Sequence, residues 1–241
     1  HTLEARSDSP QPSSLGIQIS LSVNGSLPND HPPWGKDGLQ PGDELLLSRP
    51  LGSGVLFAAI MAGASCSQEV DAALSELSSS QHNLLESLLQ LQEQLPGGLP
   101  VHACTDITGY GLLGHIGEML SASNDNRKDR GLHPVGVSLQ ADKIPTYRGV
   151  KELFKAGYSS TFAPVNRRNW DMLKPLDNGM SKVKIECEVN PIDIDNYNVV
   201  MELIVDPQTC GPLLVSCSRD ISKVLREKGE WHAIGNVHSF K

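Results

Sequence analysis

HACTDITGYGLLGHIGEML, His102 to Leu120, divides into three pieces. Val101 to Cys104 is short and apolar and reads as a strand. Thr105-Asp106-Ile107-Thr108-Gly109-Tyr110-Gly111 is a glycine-containing turn. Leu112, Leu113, Ile116, Met119 and Leu120 then recur at helical spacing on one face. The block thus places a carboxylate where a strand ends and a helix begins. Asp106 in that position could ligate Mg²⁺, which takes oxygen ligands and shares them with substrate phosphates. The glycines would let amides approach an anion at the helix start. The plainer reading is that Asp106 only closes the turn and the glycines satisfy backbone geometry. His115, one turn into the helix, is either a ligand or base, or a hydrogen-bonded packing residue.

Working outward, strands and helices mix without strict alternation, which predicts an α+β fold. Leu15 to Val23 (LGIQISLSV) alternates as a strand. A run of prolines and glycines from Pro28 to Gly42 marks a loop and a domain boundary. Asp43 to Ser48 is a strand that runs into Arg49-Pro50-Leu51-Gly52-Ser53-Gly54, with a helix starting near Val55. Ser67 to Gln94 carries Val70, Ala73, Leu74, Leu77, Leu84, Leu88 and Leu91 at helical spacing, with a gap at Ser78 to Gln81 that marks a bend or a junction. This stripe is core or an oligomer interface. Beyond the quoted block, Val135 to Leu139 alternates as a strand. Arg148 to Ala156 reads as a helix with Gly157 at its C-terminal cap. Pro164 to Tyr197 is irregular, with one strand at Val183 to Val189. Leu213 to Cys217, a helix to Glu227 stopped by Gly229, and a strand from His232 to Val237 complete the pattern.

Composition narrows the function. The 241 residues carry a net charge of -8 and 39% hydrophobic residues, ordinary for a globular chain. An acidic chain makes a poor polyanion binder, so nucleic acid is not expected as a partner. No apolar run approaches the roughly 20 residues of a membrane span. The five cysteines are scattered, with no C-x-x-C pair. They are expected to be free thiols in a reducing cytoplasm rather than zinc ligands. Cys104 and Cys210 adjoin glycine-containing loops, and either is a candidate reactive thiol or a buried structural one. The Arg49 to Gly54 turn resembles a phosphate-holding turn but lacks the Lys-Ser/Thr ending of a P-loop. A tight strand-to-helix turn is its plainer reading.

Several segments, in order, resemble one family, the selenophosphate synthetases (selenide, water dikinases). LLLSRPLGSGVLFAA (Leu45 to Ala59) is similar to that family's LTKPLGTGVL. HACTDITGYGLLGHIGEML is similar to its ACTDVTGFGLLGHLLEM block. DPQTCGPLL (Asp206 to Leu214) resembles DPQTSGGLL, and AIGNV (Ala233 to Val237) resembles the closing AIGEV. Asn83 falls in the helix that precedes the family's TDVTGFG block. The opening HTLEARSDSPQPSSLGIQISLSVNG resembles GGHTIEDAEPKYGLAVTG. Three positions depart from the pattern: Cys210 and Pro212 stand for Ser and Gly, and Arg49 for the common Lys. Proline removes an amide donor, which puts that loop's role in question.

The resemblance implies the two-domain fold of aminoimidazole ribonucleotide synthetase (PurM-like). Residues 1–42 would be the tail of an N-terminal ATP-binding domain plus linker, and 43–241 the C-terminal α+β domain. It implies selenophosphate synthesis from selenide, ATP and water, with AMP and orthophosphate as products, Mg²⁺ as cofactor, and a cytoplasmic homodimer. Asp106 matches a Mg²⁺ ligand; His1 and Thr2 match an ATP-contacting Gly-Gly-His-Thr element. The family's Cys or selenocysteine nucleophile and its essential Lys would lie upstream of His1. No catalytic residue is therefore expected within this chain, which should be inactive alone. A cyclo-ligase or hydrogenase maturation relative of the same architecture fits the DPQT and PLGSGVL segments less well. A non-catalytic, dimerising or regulatory paralogue is the alternative, which the altered DPQTCGP loop keeps open.

Overall fold

The computed structural model describes residues 22, 24, 33–94, 100–176, 179–187, 194–227 and 229–240. The chain divides into two compact units, His1–Pro33 and Trp34–Lys241, and nearly all described residues belong to the second. Of the strand expected at Leu15 to Val23, all but Ser22 lies outside the described residues.

In chain order the second unit contains β1 (Glu44–Leu47), α1 (Ser53–Met61), α2 (Ser67–Leu77), α3 (His82–Gln94), β2 (Ala103–Asp106) and α4 (Gly111–Asp129). There follow β3 (Val135–Gln140), α5 (Val150–Lys155), α6 (Ala163–Asn166), β4 (Val183–Glu186), α7 (Ile194–Leu203), β5 (Leu213–Cys217), α8 (Arg219–Glu227) and β6 (His232–Ser239). The six strands form one sheet in the order β2-β5-β1-β6-β3-β4. All neighbours are antiparallel except β3 and β4. This is the expected α+β class.

Each strand feeds both faces of the sheet because successive side chains alternate. Leu45 and Leu47 join the main core with α1, α4, α5 and α7. Leu46 points the other way, into a second cluster with Leu84 and Leu88 of α3 and Leu225 of α8. The leucine stripe of α3 is therefore core. The gap at Ser78 to Gln81 separates two helices, α2 and α3.

Two expectations need correction. The strand placed at Val101 to Cys104 lies two residues later, at Ala103–Asp106, because it pairs with Leu213 to Ser216 of β5. Asp106 is thus the last residue of the strand itself, at the strand end where the carboxylate was expected. Besides β4, which falls within the strand expected at Val183 to Val189, the stretch read as irregular holds α6, a 3-10 helix at Arg167–Leu173 and the start of α7.

The sheet order also builds one end of the molecule. β5 runs antiparallel to both β1 and β2, so the C-terminal ends of β1 and β2 meet the N-terminal end of β5: Leu47 opposes Leu214 and Asp106 opposes Leu213. Three loops therefore converge there, 48–52 after β1, 107–110 after β2 and 204–212 before β5.

Candidate active-site loops

The loop before β5 turns inward. Gln208 is buried, and its Oε1 accepts the amides of Gly52 (2.9 Å) and Ser53 (3.2 Å) and the Ser53 hydroxyl (3.2 Å). Asp206 is fully buried, and its Oδ2 accepts the Val55 amide (3.2 Å) and Gln208 Nε2 (3.0 Å). These two side chains supply what the first turn of a helix otherwise lacks, acceptors for its free N–H groups. Ser53 returns the contact, since its Oγ accepts the Thr209 amide at 2.9 Å. Gly54 permits this approach: a Cβ there would lie 2.3 Å from the Pro207 carbonyl and 2.6 Å from Asp206 Oδ1.

The Arg49 to Gly54 turn is consequently no phosphate cradle in this structure. Gly52, Ser53 and Val55 already spend their amides on Gln208 and Asp206. Arg49 is buried as well, donating to the carbonyls of Cys210 (3.2 Å) and Ser79 (3.0 Å). It fastens the loop before β5 to the junction between α2 and α3. The plainer reading of that turn holds.

Burial pushes the Asp206 carboxyl up to about 7, against the pull of its hydrogen bonds. Its Oδ1 has no hydrogen-bond partner. Asp206 is thus a structural carboxyl folded into the protein, which sequence reading passed over within the DPQTCGP motif.

The loop after β2 is held from three sides. The Ile107 amide donates to the Pro212 carbonyl (2.8 Å), and the Gln208 amide donates to the Thr108 carbonyl (3.0 Å). Asn166 of α6 donates through Nδ2 to the carbonyls of Gly109 (2.8 Å) and Val205 (3.0 Å). The Thr108 amide donates to His115 Nε2 at 3.1 Å. At Gly211 the two loops touch so closely that a Cβ would lie 1.8 Å from the Ile107 carbonyl oxygen. Pro212 at the next position lacks an N–H, yet its carbonyl still serves the pairing.

His115 is buried and is a hydrogen-bonded packing residue here. Burial holds its ring below the ordinary histidine range. Cys104 is no reactive thiol: burial first, and the nearby Asp106 charge second, push it up to about 11. Cys210 is exposed and has φ of 47°, a left-handed conformation uncommon for a side chain other than Gly or Asn.

The two carboxylates of these loops differ in exposure. Asp206 is consumed inside, whereas Asp106 is exposed at the end of β2, with Tyr110 exposed nearby in the same loop. Among the described residues no group of three or more His, Cys, Asp or Glu side chains gathers for a metal. His1 and Thr2 lie outside the described residues.

The chain's relatives follow the same segments. Residues 40–128 match the family described as AIR synthase related protein, C-terminal domain. The selenide, water dikinase of Desulfitobacterium hafniense is 29% identical over 214 residues, 87% of this chain and 52% of that protein. That of Caldanaerobacter subterraneus subsp. tengcongensis is 33% identical over 186 residues, 77% of this chain and 44% of that protein.

The chain is a homologue of the selenide, water dikinases.

The dikinase homologue spans about half the length of the curated relatives it matches. Its fold is also that of E. coli HypE, a hydrogenase maturation protein, with a TM-score of 0.53 and 16% identity over 90% of this chain and 50% of that one. That likeness bears on the fold alone, the PurM-like α+β architecture. No helix among the described residues of the dikinase homologue is long and apolar enough to cross a membrane.

Proposed function

We propose that this chain is the C-terminal part of a selenide, water dikinase, which makes selenophosphate, AMP and orthophosphate from selenide, ATP and water. The observation that carries the reading is the contrast between Asp206, buried as a helix-capping carboxyl, and Asp106, exposed at the end of β2. Asp106 is free to meet a ligand and is held in register by the loop contacts on either side of it.

A lone carboxylate fits a Mg²⁺ site of the kind that nucleotide-dependent enzymes use. Such ions take one or two carboxylates and complete their shell with waters and phosphate oxygens. Asp106 would supply one ligand, and His1 and Thr2 would contact the ATP. When bound, Mg²⁺ neutralises phosphate charge during transfer. The task left to this chain's residues is positioning: β2 fixes the carboxylate, and the 107–110 and 204–212 loops fix β2's end.

In this reading residues 1–42 are the end of the ATP-binding domain plus linker, and 43–241 the PurM-like domain. The active form is a cytoplasmic homodimer; the five free cysteines accord with a reducing compartment. The nucleophile and the essential Lys belong to the other half of the dikinase.

The test uses ³¹P NMR of the full-length protein carrying this sequence, incubated with MgATP and selenide. Selenophosphate, AMP and orthophosphate should appear, and Asp106→Asn should slow their formation roughly 100-fold. The 241-residue chain alone should form none. Turnover by the chain alone, or full activity of the Asn variant, would overturn the assignment.

A further inference from the structure

Thr108 is the junction of the Asp106 loop. Its carbonyl accepts the amides of Gly111 (3.0 Å) and Gln208 (3.0 Å), so it holds both the start of α4 and the loop before β5. Its own amide has a single side-chain acceptor, His115 Nε2, at 3.1 Å. A ring nitrogen that accepts a backbone N–H carries no proton, so the other nitrogen, Nδ1, must bear it. Nδ1 lies 3.5 Å from Glu118 Oε2, one turn along the same helix. Glu118 is in turn held by Lys36 Nζ at 2.7 Å.

The segment that carries Lys36 runs along α4. Ser123 Oγ accepts the Leu39 amide (3.1 Å) and donates to the Lys36 carbonyl (3.3 Å), and Asn126 Nδ2 donates to Asp37 (2.9 Å). At Gly38 the segment turns close against His102, whose carbonyl oxygen would lie 1.8 Å from a Cβ. Glu118 therefore sits between a fixed cation and the imidazole.

We propose that His115 is a positioning residue for the Asp106 loop: the Glu118 carboxylate lies beside its protonated Nδ1 without a formed hydrogen bond, and its bare Nε2 fixes Thr108, two residues beyond the metal-facing carboxylate. The proposal rests on the assignment of Asp106 made above. The ring does not touch the reacting groups. It acts by fixing the turn that follows β2, as outer hydrogen-bond partners orient metal ligands elsewhere. The arrangement needs an acceptor at Nε2 and nothing else from the ring, so the side-chain oxygen of Gln can stand in, whereas Leu fills the space without accepting.

The experiment records ¹⁵N NMR spectra of the labelled chain as wild type, His115→Gln and His115→Leu. In the wild type the His115 ring should show a protonated Nδ1 and an unprotonated Nε2. In His115→Leu the amide signals of Thr108 and Gln208 should shift while those of β3 and β6 stay in place. In His115→Gln they should remain near their wild-type positions. In the full-length enzyme the Leu variant should raise the Mg²⁺ concentration for half-maximal rate ~10-fold, with the Gln variant close to wild type.

An Nε2–H tautomer, or unmoved loop amides in His115→Leu, would overturn the proposal. So would an unchanged Mg²⁺ requirement in the Leu variant of a full-length enzyme whose Asp106→Asn form is impaired. If Asp106→Asn had no effect while the loop amides shifted as expected, the metal assignment would fall and the positioning of the loop would stand. If the Leu variant unfolds, the wild-type tautomer and the Gln variant decide.

Discussion

Gln208 Oε1 accepts the Gly52 amide at 2.9 Å across 156 residues of sequence, so a side chain from the loop before β5 caps the helix begun after β1. The same oxygen also takes the Ser53 amide and hydroxyl. Replacing Gln208 by Leu would leave these buried donors without an acceptor. The expected cost is about 3 kcal/mol, combining a lost helix cap with unmet donors. Urea unfolding should show it as a lower midpoint at unchanged slope.

Asp206 gives stability a definite pH dependence. Its folded value, about 7, lies above the ordinary carboxyl value of 3.8. Between those two values the folded protein binds more protons at this site than the unfolded chain, so stability falls as pH rises from about 4 to about 7. Asp206→Asn should flatten that segment of the stability-pH curve and gain relative to wild type above pH ~7. Parallel curves for the two proteins would exclude this role.

The Asp43–His102 pair acts with the same sign in a higher window. Asp43 is buried and its two carboxylate oxygens lie 2.9 and 3.0 Å from His102 Nδ1, which raises the imidazole above its ordinary 6.5. The pair's contribution is complete below that ordinary value and is lost as pH climbs through the raised one. Ser216 Oγ also donates to Asp43, at 2.7 Å. His102→Gln should therefore destabilise the protein more at pH 6 than at pH 9. Thermal melts at the two pH values measure it.

The cysteines separate sharply by environment. Cys104 is held up to about 11, and Cys217 to about 12, mainly by burial, while Cys210 is exposed. Thiolate, not thiol, reacts with alkylating agents. Iodoacetamide at pH 7.5 should modify Cys210 and leave Cys104 and Cys217 untouched in the folded protein, read by peptide mass spectrometry.

Much of the fold was legible where local pattern and packing agree. The apolar run Leu45 to Leu47, the helically spaced leucines of α3 and the HACTDITGYGLLGH block all carry their own local signal, and the structure places them accordingly. The stretch before Asp206 was less legible. α7 contains Asn196, Tyr197 and Asn198 in its middle and becomes a helix because Val199, Val200 and Leu203 pack on the core. The end of β2 was misplaced because its length is fixed by pairing with β5, a partner more than a hundred residues away.

The site shows the same division. Asp106 was visible as a carboxylate between a strand and a glycine-containing turn. The Asp206 and Gln208 caps were not, since the amides they serve lie in another motif that only the sheet order brings close. Read alone, the Arg49 to Gly54 turn resembles an anion cradle. Its acceptors come from the protein itself. His115 was legible as a packing histidine, but its partner Thr108 was not, because the contact depends on how the turn closes.

The proposed role of this protein requires Asp106 to face magnesium in the nucleotide complex. The most direct measurement is a crystal structure of the full-length protein bound to Mg²⁺ and a non-hydrolysable ATP analogue. An Asp106 carboxylate oxygen should then lie about 2.1 Å from the ion, the ordinary Mg²⁺–oxygen distance. A nucleotide complex with its metals in place and Asp106 turned to solvent, or bonded only within its own turn, would contradict it.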